Sequence, residues 1–553
     1  NQDYLELYWN KEFYSTGIYS RPPLQEVSTY QSTSIFADRS LYRPGQTVYF
    51  KGIHMNVTKD GPTISADQNI EVVLRDANYQ EVFKQTFKSN EFGSFSGTFT
   101  LPSSGITGIM TLQSPHGAAS FSVEEYKRPK FKVSLDPLEG IYQLAGPVQV
   151  SGQAMGYNGA AVTDAEVRYT VERRPVMRWA YWGSWFRPSY TNQEAVQIST
   201  GKSTTDASGK FKIDFNAIAG DANGNEEISH FTFEINVEVT DINGETREAS
   251  AAVNIGEKGL MLSANLPSDL DKNELAKIQL ISENLNGVAI PMSGQWELRF
   301  IPADPKVKVK RNWEYPQYQG VSTADFEADL PLFYANRAQE EPQGDGELIS
   351  NGEWNTAVST ELDLSMLKSK SVGRYVLKLI AQDGPKPSEW SSSFMLFDSK
   401  KKESAYTEAM KVVDVGGPYK PGDQARIMVS SHWKGMPVQV RLEYDRKIVW
   451  QKEVVLSDEQ ETMTFPIKKE YQEGAFLHIT GMRNNRAFVE RLTLKVEAID
   501  RLLDISLVTY RDKMLPGSKE EWKLKVKARN GEKAISELLL SMYDASLDQF
   551  KMH

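Results

Sequence analysis

The sequence predicts an all-β chain of tandem β-sandwich domains. Three observations carry that prediction: period-2 alternation along the chain, Gly-centred turn signals between the alternating runs, and a Pro-Gly turn mark that recurs at domain-sized intervals. In Phe231-Thr232-Phe233-Glu234-Ile235-Asn236-Val237-Glu238-Val239 every apolar residue falls on an odd position. Val438, Val440, Leu442 and Tyr444 repeat the pattern with Gln439, Arg441 and Glu443 between them. Alternation puts successive side chains on opposite faces of a sheet, one face for a core and one for water. Asn158-Gly159, Ser208-Gly209, Asn243-Gly244 and Asn530-Gly531 separate such runs as turns. Helical periodicity is rare, and the best candidate is a short stretch around Ala534–Tyr543.

The recurring mark is Tyr42-Arg43-Pro44-Gly45 before Val48 and Phe50, Tyr419-Lys420-Pro421-Gly422 before Ile427 and Val429, and Leu515-Pro516-Gly517 before Trp522, Leu524 and Val526. Proline fixes φ at the first central position of a type II turn and glycine supplies the positive φ at the second, so the strand that follows enters its sheet at a set angle. A degraded copy places Gly146-Pro147 before Val148 and Val150, and a weaker one lies near Asp271–Leu280. Spacings of about 100–150 residues match one sandwich. They divide the chain into a linker or tail of a preceding element (1–29), four sandwiches (30–128, 129–257, 258–400 and 401–498) and the start of a fifth (499–553). Within the third, 303–346 is rich in Pro, Asp and Tyr and reads as an insertion.

With 553 residues, 40% hydrophobic and 11% aromatic, the chain has material for several separate cores. A net charge of −10 argues against nucleic acid and anionic lipid as partners. The one basic run, Lys400-Lys401-Lys402, reads as a solvated linker. No cysteine is present, which removes disulfides, thiol nucleophiles, Cys-bound zinc and a Cys-built thioester from these residues. No apolar run approaches the roughly 20 residues of a membrane-spanning helix. The chain begins at Asn1 and shows no signal peptide, so both ends read as cuts in a longer precursor.

Particular segments resemble a known family. Asp38-Arg39-Ser40-Leu41-Tyr42-Arg43-Pro44-Gly45-Gln46-Thr47-Val48 resembles the opening of the second macroglobulin domain of alpha-2-macroglobulins, and Val123-Glu124-Glu125-Tyr126-Lys127-Arg128-Pro129 the handover from that domain to the next. Val167–Arg174, Thr205–Phe211 and Val239–Thr246 are similar to the third domain. Leu515–Glu520 and Met542–Asp548 are similar to the start of the sixth in bacterial members. The order of these segments is more specific than any one of them. The resemblance implies tandem macroglobulin, fibronectin- or immunoglobulin-like sandwiches numbered second to fifth, with the sixth begun. It implies scaffold of a broad-spectrum protease inhibitor: proteases are its partners, and cutting a bait region triggers their entrapment. The bait is expected just beyond His553. It also implies no cofactor, a monomer, and a place in a Gram-negative cell envelope, in the periplasm and lipid-anchored in the full-length protein.

Other constellations were weighed on their own chemistry. Trp179, Tyr181, Trp182, Trp185, Phe186 and Tyr190 form an aromatic patch suited to packing on a neighbouring domain, to a protein partner, or to stacking on sugars. It carries the competing reading, a multidomain envelope adhesin that binds glycan or protein. Asp221–Glu227 has half of a calcium loop, but Glu226 stands where glycine is required and Thr232 where a Glu ligand belongs, so a solvated hairpin fits better. His54, His116, His230, His432, His478 and His553 include no i, i+4 pair and no H-E-x-x-H. Gly93-Ser94-Phe95-Ser96-Gly97 has Phe95 where a nucleophile elbow needs serine. No catalytic residue, metal site or cofactor site is assigned, and the chain is not expected to be an enzyme.

Overall fold

The computed structural model describes residues 3–9, 12–18, 29–58, 61–177, 195–219, 228–302, 314–316, 320–336, 346–384, 387–497, 502–511, 514, 517–529 and 536–553. The architecture is all-β, and four hydrophobic clusters of buried residues follow one another along the chain. They run within 35–123, 131–255, 260–396 and 409–494.

Each cluster lies between two sheets with one shared strand order. In the second sandwich Phe131–Leu135, Pro147–Gly156 and Lys210–Asn216 form one sheet, first, second and fifth in sequence. Val196–Thr204, Glu166–Met177, Ile228–Thr240 and Thr246–Ile255 form the other, in the order fourth, third, sixth, seventh. The fourth sandwich repeats this with Lys411–Asp414, Gln424–Ser431 and Glu459–Pro466 facing Lys447–Leu456, Met436–Tyr444, Ala475–Arg483 and Arg486–Thr493. The first and third have the same order with a short extra strand, Leu41–Tyr42 or Asp269–Asp271, laid parallel to the seventh, and the first adds Gly61–Ile64 paired with its second strand. The alternation read from sequence is realised: Phe231, Phe233, Ile235, Val237 and Val239 are buried, with the intervening residues partly or fully exposed.

The Pro-Gly marks at Gly45 and Gly422 are type II turns, while Leu515 and Pro516 of the third lie outside the described residues. The N–H of Gln46 bonds the carbonyl of Arg43 at 3.2 Å, with Gly45 at φ +80°, and Asp423 bonds Lys420 at 3.0 Å, with Gly422 at φ +98°. In both, the last turn residue also accepts from the first N–H, Gln46 Oε1 at 2.9 Å and Asp423 Oδ2 at 2.7 Å. The degraded copy corrects the sequence reading. Its turn is Gln143-Leu144-Ala145-Gly146, one step before Gly146-Pro147, and Ala145 takes φ +64°. The register is common to all three: the N–H of Gly45, Ala145 and Gly422 bonds the carbonyl of Pro102, Ala217 and Ile467, just after the fifth strand. Ala145 therefore bears a left-handed conformation costing about 1–2 kcal/mol for a residue with a Cβ. Ala145→Gly is expected to stabilise the second sandwich by about 0.5–1 kcal/mol, net of glycine's greater freedom when unfolded, read as a raised denaturation midpoint.

The hairpin turns share a second device. Asp206 bonds Lys210 and Gly209 through its backbone, while its Oδ1 accepts from the N–H of Ser208 and Lys210. Asn90, Asp241 and Asn284 repeat this four-bond pattern, and so does Asp76, where Tyr79 at φ +61° stands in glycine's place. These are three-residue loops, a type I turn closed by a left-handed residue. The Ser208 hydroxyl and two backbone N–H groups also hold the Asp206 carboxyl below the ordinary aspartate range.

The helix expected around 534–543 is not formed in its described part: 536–543 is non-helical, and a 3₁₀ turn follows at Ala545–Gln549. Among the described residues an α-helix, Thr323–Asp329 with Ser322 as N-cap, lies between the third and fourth strands of the third sandwich. Just beyond it, Leu332 packs on the fourth core, and Phe333 lies 5.4 Å beneath the Arg486 guanidinium.

Junctions between sandwiches differ in chemistry. Between the second and third they are polar: Asn284 Nδ2 donates to the carbonyls of Leu138 and Gly140 at 2.7 and 3.0 Å, and Asn254 and Asn286 bond each other. Between the third and fourth a separate apolar cluster forms from Met395, Phe397, Tyr406, Val413 and Met428. Arg426 adds a two-pronged bond to Glu274 at 2.7 and 2.6 Å.

Candidate functional site: an exposed hairpin between two anchored segments

After the fourth sandwich the chain changes character. Leu503–Thr509 and Lys523–Ala528 pair as an antiparallel hairpin whose first strand is exposed at every position. Leu502, Leu503, Ile505, Leu507, Val508, Tyr510 and Trp522 all face solvent. On one side in sequence stands the closed fourth sandwich, which Val496 joins by a bridge to Tyr419. On the other, the segment from Ser536 lies against the first sandwich: Lys51 Nζ pairs with Glu537 at 3.0 Å and Arg128 with Asp544 at 3.3 Å.

The candidate residues read from sequence divide into those the structure disperses and those it does not describe. Trp179, Tyr181, Trp182, Trp185, Phe186 and Tyr190 lie outside the described residues, as does Asp221–Glu227. Three histidines lie apart from one another: His432 meets Asp458 at 2.6 Å, His478 meets Glu443 at 2.5 Å, and His553 meets the Tyr543 ring edge-on at 5.1 Å. Among the described residues no three His, Cys, Asp or Glu side chains group to hold a metal ion. Phe95 is a core residue, its ring packed on Phe50. Tyr42, Tyr406 and Tyr419 are buried beside Asp38, Asp269 and Asp414. Burial first and the carboxylate second push their phenols far above the ordinary tyrosine range, so they serve as fixed hydrogen-bond donors.

His54 and His116 do come together, their rings 5.8 Å apart, with the Thr33 hydroxyl 2.9 Å from His54 Nδ1. Burial, then the neighbouring His116, pushes the His54 pKa below its ordinary value of 6.5. The unfolded chain therefore binds a proton that the folded one refuses. This contribution to stability is full at neutral pH and is lost as pH falls below 6.5. Denaturation of the first sandwich is expected to shift to lower denaturant on acidification, and less so in His54→Gln.

Two family models match the chain: the MG2 domain over residues 32–133, and the alpha-2-macroglobulin bait region domain over 410–550. Two stretches of this chain thus match domains of the alpha-2-macroglobulin family. It is 29% identical over 142 residues to the alpha-2-macroglobulin of Thermotoga maritima, a match covering 25% of this chain and 9% of that protein. The alpha-2-macroglobulin of Ralstonia nicotianae is 28% identical over 177 residues, 31% of this chain and 10% of that one. Matched regions thus span about a tenth of these bacterial relatives. Trypsin-activated alpha-2-macroglobulin from Escherichia coli superposes with a TM-score of 0.48 at 17% identity, covering 91% of this chain and 33% of that one. Sequence reasoning places the bait just beyond His553; the bait region domain match covers 410–550, which includes the exposed hairpin. Among the described residues no helix is long and apolar enough to cross a membrane.

Proposed function

We propose that this chain is the frame of a broad-spectrum protease inhibitor, and that proteases engage it by cutting the stretch 499–535. The observation that carries this reading is the coincidence of the bait region match at 410–550 with a solvent-exposed hairpin lying between a closed sandwich and a docked segment. A protease needs an extended, locally openable substrate, and the sandwiches, with their buried strands, are poor ones. Cutting then alters the angles between sandwiches and encloses the protease, so the chain acts by confinement and is not itself an enzyme. The four sandwiches, 30–128, 129–257, 258–400 and 401–498, act as the second to fifth macroglobulin domains, with 499–553 opening the sixth. The aromatic stretch Trp179–Tyr190 acts as a contact surface toward a neighbouring domain. The protein works as a monomer in the bacterial cell envelope, on the periplasmic side.

The test is a comparison of two substrates. The protein in its natural full length is mixed with an excess over trypsin or elastase, and hydrolysis of a folded protein substrate and of a small chromogenic peptide is followed. Confinement predicts loss of activity on the protein substrate with activity on the peptide retained. Equal loss of both means active-site blockade, and no loss of either removes the inhibitor reading.

A further inference from the structure

The third sandwich touches the fourth in two places, and the two differ in kind. At the apolar junction, alternation sorts the residues. Phe394 and Leu396 belong to the third core, so Met395 and Phe397 face outward from the seventh strand, Ser388–Phe397. Ile427 and Val429 belong to the fourth core, and Met428 between them turns the other way. The junction thus meets the fourth sandwich on its three-stranded sheet. The second contact is made by an arm that leaves the third sandwich after Ile301. Ile301 pairs with Arg374, which pairs in turn with Met395. The arm therefore departs level with the junction and two strand spacings away, about 10 Å. Its described part, 320–336, is held by its own bonds: the Ser322 hydroxyl accepts from the N–H of Asp325, and the Phe333 N–H donates to the Leu330 carbonyl, both at 3.1 Å. Ala335 is fully buried. Leu332 packs on the fourth core, and the Phe333 ring lies 5.4 Å beneath the Arg486 guanidinium. Arg486 belongs to the four-stranded sheet, and it follows Asn484-Asn485, left-handed at φ +51° and +54° in a two-residue hairpin turn. Burial pushes the Arg486 guanidinium below the ordinary arginine value, as expected for a cation set on an aromatic face.

We propose that 320–336 is a brace that fixes the rotation of the fourth sandwich against the third. Domains joined by a single small interface move relative to one another by default. One patch leaves two bodies free to pivot about it, whereas a second contact on a different sheet removes that freedom. The apolar cluster around Tyr406 supplies the cohesion, and the brace supplies the angle. The pair moves as one body, and any displacement of the fourth sandwich carries the third with it. The braced strand, Arg486–Thr493, is followed by the exposed hairpin, which therefore stands on a base of two sandwiches. What that base does in protease capture rests on the function proposed above, while the brace itself does not.

The test uses the natural full-length protein, with spin labels on genetically encoded ketone side chains at Val358 of the third sandwich and Val455 of the fourth. Both positions are exposed. One narrow distance distribution is expected in the parent. Leu332→Ala combined with Phe333→Ala is expected to broaden it about twofold, the freedom of a single-patch interface, while the two sandwiches still melt together. Arg486→Ala removes the same contact from the other side and is expected to broaden it as well. Arg486 is half-buried at a hairpin end, so its truncation leaves the fourth sandwich folded. A second label pair inside the third sandwich, at Met261 and Val358, is expected to stay narrow throughout. If that pair broadens in the double variant, the third sandwich has itself loosened, and Arg486→Ala, which leaves it whole, decides alone. A broad distribution in the parent, or an unchanged width in Arg486→Ala, overturns the brace. No protease enters these measurements, so failure of the inhibitor reading leaves their outcome as it is.

Discussion

Gly209→Val is expected to destabilise the second sandwich by about 3 kcal/mol, the sum of a left-handed backbone cost and a steric one. Gly209 closes the Asp206 turn at φ +75°, a region where β-branched residues are outliers. Its N–H bonds Asp206, and its carbonyl accepts from Ala154 at 2.8 Å. A Cβ there would sit 2.4 Å from the Ala154 carbonyl oxygen and 3.2 Å from the Val162 nitrogen, both backbone atoms that no rotamer change can move. Gly244 ends an equivalent turn at φ +78° with nothing within 4 Å of its would-be Cβ. Gly244→Val should therefore cost only the backbone share, about 1–2 kcal/mol. Denaturant melts of the two variants separate the terms, and equal losses would show that the contact with Ala154 relaxes away.

Tyr406→Ala is expected to cost about 3–5 kcal/mol, the range for truncating a large buried aromatic, and to uncouple the third sandwich from the fourth. Tyr406 is 1% exposed at that junction, its ring 6.1 Å from Phe397 and its hydroxyl donating to Asp269 Oδ1 at 2.9 Å. The surrounding cluster draws Met395 and Phe397 from one sandwich and Val413 and Met428 from the other. Calorimetry should show the two melting together in the parent and apart in Tyr406→Ala. Tyr406→Phe keeps the packing and removes the bond to the carboxylate, so it should cost about 1.5–3 kcal/mol and leave the coupling in place. Continued joint melting of Tyr406→Ala would mean that Arg426 and Glu274 suffice to hold the junction.

Where one residue's neighbours decide its conformation, the sequence was a good guide. The odd-numbered core of Phe231–Val239 and the turns at Gly45 and Gly422 follow from periodicity and from what Pro and Gly can do. The copy at Ala145 was misplaced because both turn residues had changed, to Leu144 and Ala145, leaving Tyr142 and the hydrogen-bond register as its markers. The Asx turns were half legible: the glycines stood out, while the Asp or Asn three positions earlier carries most of the bonds. Lys400-Lys401-Lys402 hid a firm junction, since the side chains are exposed while Gln460 bonds the backbone carbonyls of Lys401 and Lys402. The stretch around 534–543 carries Glu and Leu with a helical look, but its leucines turn to a groove more than 400 residues away in sequence. No local pattern encodes such a contact. The same distance hides the partner of Lys51 from any local pattern, and the hairpin after 499 carries in sequence only the marks of a new domain's opening.

Protease action at the stretch 499–535, with the sandwiches as its frame, is open to a direct test. The most direct measurement treats the natural full-length protein with limiting amounts of several unrelated proteases, maps the first cut by mass spectrometry, and follows particle dimensions by solution scattering. One early cut within 499–535, shared by all the proteases and followed by compaction with the protease retained, is the predicted result. Slow cuts scattered through the sandwiches, with unchanged dimensions and free protease, would contradict it.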